Sequence, residues 1–461
     1  MKIYFYLSDI FSIICCMSDA LFLDRKKYKE TFKAQIFYIF VSLYEGMVFS
    51  FLTLFLNECR KNLSWSFLMS SFSLFLPPFG AAIGTFISSF LVSSQKKNLK
   101  LMRIICLSSF VLINTLGLLG LFLPNGLNGN GLVENSFQYY FLYSIFVIIP
   151  FLLMGLHWSF LSFQTSNIAD INYAEKTRYG HVCLYGVLVP LLASPIAGLI
   201  AESLFHSYKG YLFLFSISSP TILILFGLTY LFKPFDSSIY HQDEHELVSY
   251  KDLFKNKTYV FYLLLASIWI PLVWVNDSLS SNFWTALESS NDVLNAFNPL
   301  TWGFFIAFSS LMEFVFVFIN TKFGFGKKVK FSLTLSFILL FLLSTSFGII
   351  SIFYNGPIQD GLGLVLVVIA LHSLKGMANG LYLTSNIMML HSIVGPKYRR
   401  KAVFIAPCIY QLVNSILQFV YPYLTSFRYI SFFVLSFLAL LGFILSFFLN
   451  VSISLPHKNV E

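Results

Sequence analysis

The spacing of the apolar runs constrains this chain most. Twelve stretches of mostly apolar residues follow one another with short polar punctuation. Each has about the 20 residues that a helix needs to cross the hydrocarbon core of a bilayer. Only 11% of the residues are charged and 57% are hydrophobic, against about 25% charged in an ordinary soluble domain. A soluble fold is therefore excluded. The pattern predicts an all-α polytopic membrane protein.

The first six runs cover 35–57, 64–93, 102–123, 138–163, 181–202 and 210–232. The other six cover 257–280, 299–320, 331–354, 362–389, 402–424 and 429–451. Between the two sets lies a polar linker, 233–256. A segment, 1–34, precedes the first run and a tail, 452–461, follows the last. With this count the Lys and Arg residues of the loops fall 24 on one side and 4 on the other. Cytoplasmic loops are enriched in Lys and Arg, so both termini are expected inside. One miscounted span would scramble that alternation. Residues 1–23 are apolar enough to suggest a signal or a thirteenth span, but Asp9 and Asp19 interrupt them. They are read as a cytoplasmic or interfacial segment. The net charge of +9 then reflects basic inside loops, not a nucleic-acid surface.

An echo links the two sets. "TSNI" occurs at Thr165 and again at Thr384, an offset of 219. Lys176 and Arg178 after the first copy match Lys397 and Arg399 after the second. Both copies fall at the inner ends of equivalent spans, four and ten, so the two six-helix sets read as parallel repeats.

These residues make the chain resemble the major facilitator superfamily, two six-span bundles in parallel with cytoplasmic termini. That family's loop between spans two and three reads Gly, Asp-Arg, Gly-Arg-Lys. Here "SFLVSSQKK" has Ser89 and Ser93 for Gly and Asp, and keeps Lys96 and Lys97. The second half offers Asn320, Lys322, Gly324, Lys327 and Lys328. In span five, "GVLVPLLASPIAG" retains Pro195 and Gly198 of a Gly-Pro-rich stretch, with Ser194 replacing a Gly. The resemblance implies that spans one, four, seven and ten line a central cavity.

Polar residues inside spans cost about 2.5–3.5 kcal/mol each when charged, which makes each a candidate for function. His372, Lys375 and Asn379 share one face of span ten. Tyr38, Ser42 and Glu45 share a face of span one; span four supplies His157 and Gln164, and span seven Trp269, Asn276 and Asp277. Expected solute-binding residues are Lys375, His372, Asn379, His157, Gln164, Trp269, Asn276 and Tyr38. Glu45, Glu313 and Asp277 are candidates for proton coupling, because a carboxyl held away from water can switch its charge. Lys96, Lys97, Arg178, Arg399 and Arg400 are candidates for an inner gate.

Plainer roles compete with these. Lys375 could neutralise Glu313 in a structural ion pair. Glu45 could satisfy backbone at a kink near Gly46, and His157 could be an interhelical hydrogen-bonding residue. The Trp and Tyr residues could form an interfacial belt, the reading given to Trp302. Pro77, Pro78 and Pro195 are expected to bend helices. The six cysteines show no framework spacing and read as small core residues.

The function expected is secondary transport of a small polar or anionic solute by alternating access, by a monomer without a cofactor. A plasma membrane or bacterial inner membrane is expected. A lipid or lysolipid mover of the same fold is one alternative. A membrane enzyme is another, although its only dense cluster would be "HQDEHE" (His241–Glu246), which reads as a solvated acidic linker. A Gly-Lys-Ser/Thr nucleotide loop is absent from the sequence, so direct drive by ATP is not expected.

Overall fold

The computed structural model describes residues 28–62, 65–91, 95–122, 137–175, 179–204, 208–232, 250–290, 298–322, 329–353, 361–394, 396–425 and 428–449. Twelve spans of these residues are helical, long and apolar enough to cross a membrane. Span one begins at Lys29, earlier than expected, and comprises two helices, Lys29–Met47 and Phe49–Asn62. Spans two to six are Phe67–Leu91, Gln95–Phe122, Phe137–Glu175, Tyr179–Leu204 and Tyr208–Leu228, the last with a 3₁₀ turn Thr229–Leu231. A short helix, Tyr250–Lys255, leads into span seven, Lys257–Ser290. Spans eight to twelve are Pro299–Lys322, Val329–Phe353, Gly361–Ile393, Pro396–Thr425 and Arg428–Ser446.

The packing repeats. Spans one–five, one–six, two–four, three–four and three–six pack together, and so do seven–eleven, seven–twelve, eight–ten, nine–ten and nine–twelve. Each pair in the second list is the counterpart, six spans on, of a pair in the first. Across the halves, span five lies along span eight and span two along span eleven. The echoed tetrapeptides occupy equivalent positions in spans four and ten, each bonded to another helix. Asn167 accepts from Asn98 at 3.5 Å and Asn386 accepts from Tyr262 at 2.7 Å.

Interhelical contact in lipid depends on small residues that let backbones approach. A Cβ on Gly376 would stand 1.8 Å from the Ser309 carbonyl oxygen, and one on Gly84 would stand 2.2 Å from that of Gly155. A Cβ on Gly303 would meet the Ser194 carbonyl at 2.4 Å, where spans five and eight join. Gly180 differs: its Cβ would meet Thr321 Oγ1, a side-chain atom that can rotate away. Gly376→Ala is therefore expected to cost about 1–3 kcal/mol by overpacking, and Gly180→Ala much less. Thermal unfolding of the two purified variants checks this, and equal losses would contradict it.

The break in span one shows how lipid-buried backbone is satisfied. Val48 donates its N–H to Tyr44 O at 2.9 Å, and Ser50 Oγ donates to Glu45 O at 3.4 Å. Ser194 of span five donates to Gly46 O at 3.4 Å, and the Trp302 indole of span eight donates to Ser50 O at 3.0 Å. Groups released by a broken helix need such partners at membrane depth. Trp302 is thus no belt residue: it is 2% exposed and stacked on Phe305 at 4.6 Å. Trp302→Phe keeps the packing and removes the donor, so a loss of about 1 kcal/mol in thermal stability is expected. An unchanged midpoint would show that the bond to span one contributes nothing.

The prolines at 77 and 78, at 150, and at 190 and 195 all lie inside continuous helices. Cys59, Cys106 and Cys183 are buried free thiols and Cys408 a partly buried one, as core packing requires.

Candidate functional site

The site forms where spans one, four, seven, eight and ten meet at mid-depth. Span ten carries His372, Lys375 and Asn379 three and four residues apart, so a helix places them on one stripe. Lys375 meets Asp277 of span seven, not Glu313. Its Nζ donates to both carboxylate oxygens, at 2.6 and 2.5 Å. The lysine expected to face an anionic solute is therefore already engaged by two oxygens. Its side chain is 11% exposed and that of Asp277 27%.

His372 is fully buried, stacked on Phe305 at 3.5 Å, with Nε2 3.8 Å from Asp277 Oδ1. Neither ring nitrogen has a hydrogen-bond partner. Glu313 of span eight accepts a hydrogen bond from Asn379 and feels the Lys375 charge. The Asn379 oxygen is left without a partner.

Opposite, in the first half, Glu45 lies 3.4 Å from His157 Nε2. His157 is buried and stacked on Phe49 at 4.0 Å. Glu45 itself is 30% exposed and interacts electrostatically with Glu313 of the other half. Tyr38 packs into the space that Gly186 of span five leaves, within electrostatic reach of both carboxyls.

The remaining expected residues divide by the direction that helix rotation gives them. Trp269 donates to Ser336 of span nine at 3.1 Å, and Asn276 donates to Ser344 of the same span at 3.0 Å. Both side chains hold span seven to span nine inside the second half. Gln164 lines a small cleft with Ala34, Phe37, Met102, Asn167 and Phe232, inside the first half. Both of its amide atoms are buried without a partner.

Of the gate candidates, Lys96 and Lys97 are exposed at the start of span three, and Arg399 is partly buried at the start of span eleven. Arg400 lies on that helix, with its side chain outside the described residues; Arg178 and His241–Glu246 also lie outside them. Among the described residues no group of three or more His, Cys, Asp or Glu could hold a metal.

Sequence reasoning missed Tyr382, which stacks on Trp269 at 3.6 Å and 6°. Its signal was present, since it continues the His372–Lys375–Asn379 stripe at the next helical step. It also missed Phe305 beneath His372 and the serines of span nine, which carry no pattern that separates them from other small residues in spans. Aromatic side chains also join the halves at this depth. Trp158 lies 6.4 Å from Trp274 and 6.0 Å from Tyr410, centroid to centroid.

No family model matches the sequence, and no curated protein matches it. Solved structures do. A mutant of the nucleoside transporter NupG matches at 10% identity and a TM-score of 0.62, over 91% of this chain and 99% of that one. The proton:xylose symporter XylE bound to 6-bromo-6-deoxy-D-glucose, described as a major facilitator superfamily protein, matches at 14% identity and 0.62, over 93% and 97%. The inward-open xylose transporter XylE from E. coli matches at 15% identity and 0.56, over 92% and 96%.

Proposed function

Starting from a chain that has the major facilitator fold, we propose that it is a secondary transporter of a small solute. The two six-span halves, 35–232 and 257–451, rock about the midplane site and open it first to one side and then to the other. One observation carries this reading. Charged side chains from spans one, seven, eight and ten meet at mid-depth between the halves, where a charge is costly unless it is used. Glu45 and Glu313, from opposite halves, lie within electrostatic range of each other, a costly arrangement for a purely structural bundle. The solved neighbours, transporters of nucleosides and of xylose, support the same class of activity.

In this reading Glu45 is the coupling carboxyl, with His157 as the group that can take or return its proton. The Lys375–Asp277 pair ties span seven to span ten and orients the Asn379 amide toward Glu313. The basic inside loops, with Lys96, Lys97, Arg178, Arg399 and Arg400, form the inner gate on the cytoplasmic side, where both termini lie. The chain works as a monomer and needs no cofactor.

The test is uptake of a mixed panel of metabolites by cells expressing the protein, with and without a protonophore. Accumulation of a solute that collapses with the proton gradient supports coupled transport. Uptake indifferent to the gradient keeps the transporter and removes the coupling role of Glu45. No uptake of any soluble metabolite would defeat the reading and leave a lipid substrate as the alternative.

A further inference from the structure

We infer, on the transporter reading above, that Tyr250 latches the inner gate. It holds the inner ends of the two halves together and must let go before the site opens to the cytoplasm.

The latch is built on the short helix Tyr250–Lys255. Lys251, Asp252, Phe254 and Lys255 of that helix are exposed, and Leu253 is buried. The residues that follow tie the helix to the second half. Asn256 donates to the Ile393 carbonyl of span ten at 3.0 Å, and its side-chain oxygen accepts the Tyr259 N–H at 3.1 Å. A side-chain cap of this kind fixes where the chain enters span seven. The Tyr259 hydroxyl donates to the Ala402 carbonyl of span eleven at 3.3 Å. Tyr250 stands three residues before Leu253, on the same face of the helix.

From that base Tyr250 reaches the first half. Its hydroxyl lies 3.0 Å from Ser89 Oγ of span two and 3.4 Å from the Ser89 carbonyl oxygen. Ser89 Oγ donates to Phe86 O at 2.6 Å, so it is left to accept from the tyrosine O–H. Phe90 meets the ring edge-on at 5.8 Å. Lys401, at the start of span eleven, sets its ammonium 4.4 Å from the ring centroid, where the ring quadrupole attracts it. One phenol therefore bonds to span two and holds a cation of span eleven, two helices that lie along each other across the halves.

Beside this junction the halves close over apolar side chains. Ile168, Val182 and Cys183 of the first half share one buried cluster with Val317 and Ile387 of the second. Cys183 is 0% exposed there, so its thiol meets a water-borne reagent only when the halves part. Cys59 and Cys106 are buried in a separate cluster and serve as internal controls.

The experiment treats the purified full-length protein with N-ethylmaleimide and reads the alkylation rate of each cysteine by peptide mass. Cys183 is expected to react about fivefold faster in Tyr250→Ala than in the wild type, while Cys59 and Cys106 keep their rates. Tyr250→Phe keeps the ring for Lys401 and Phe90 and loses only the hydroxyl, so its Cys183 rate should fall between the two. An unchanged Cys183 rate in Tyr250→Ala would overturn the latch. So would equal acceleration of all three cysteines, which marks general loosening. Where Tyr250→Ala fails to fold, Tyr250→Phe and Ser89→Ala take its place. Each should speed Cys183 about twofold, and no change in either overturns the latch.

The metabolite uptake panel separates this result from the reading beneath it. Uptake of a solute by a protein whose Cys183 ignores Tyr250 fails the latch alone. Faster Cys183 alkylation in Tyr250→Ala, without uptake of any solute by the wild type, fails the transporter reading alone.

Discussion

Lys375→Met is expected to destabilise the purified protein by about 3–5 kcal/mol, because it leaves Asp277 with an unpaired charge in a site largely closed to water. The pair is bidentate and the lysine side chain only 11% exposed, so little solvent is available to replace the lost partner. The double variant Lys375→Met with Asp277→Leu removes both charges together. It should recover most of the lost stability, since apolar replacements of a buried pair are often neutral or better. Thermal unfolding of the wild type, both single variants and the double variant measures the coupling between the two positions. Additive losses would mean that the pair contributes no interaction and that Lys375 serves another partner. Transport should remain impaired in the double variant, because the geometry that the pair imposes on span ten is lost along with its cost.

Glu45→Gln is expected to abolish gradient-driven accumulation while leaving solute exchange measurable. Gln keeps the shape and hydrogen-bonding capacity of a protonated Glu, so the site can still open to either side. It cannot take or release a proton, so the energy of the gradient no longer reaches the solute. Accumulation and counterflow in proteoliposomes separate these two activities. Accumulation at the wild-type level in Glu45→Gln would remove Glu45 from the coupling step. The His157 imidazole, 3.4 Å away, makes a second arm possible. His157→Gln should slow accumulation without eliminating it if the histidine only relays the proton, and a variant indistinguishable from wild type would make it a packing residue against Phe49.

The two experiments bear on different links in the same argument. The ion pair concerns how the second half holds its shape, since it joins spans seven and ten within that half. Glu45 belongs to the first half and lies within electrostatic range of Glu313 in the second, so the second experiment tests the coupling proposed for it.

How far the sequence was legible varies with the distance over which each cost acts. The membrane class, the span count and the division into two repeated halves came from local quantities. The transfer cost of each apolar run depends on its own residues, and the loop charges report orientation segment by segment. The echo of Thr-Ser-Asn-Ile placed spans four and ten in equivalent positions before any packing was known. Likewise the stripe of His372, Lys375 and Asn379 follows from helical periodicity alone.

Partnership followed from none of this. Lys375 could reach several carboxyls in principle, and only the rotation of span seven against span ten decided for Asp277 over Glu313. Trp269 and Asn276 bond to Ser336 and Ser344 of span nine, and Trp269 also stacks on Tyr382 of span ten. Trp302, which resembles a belt residue in one dimension, became a buried donor to the Ser50 carbonyl of span one. A helix's own sequence determines which residues share a face. Which neighbour that face meets depends on close packing against every adjacent helix at once, and that only the tertiary structure decided.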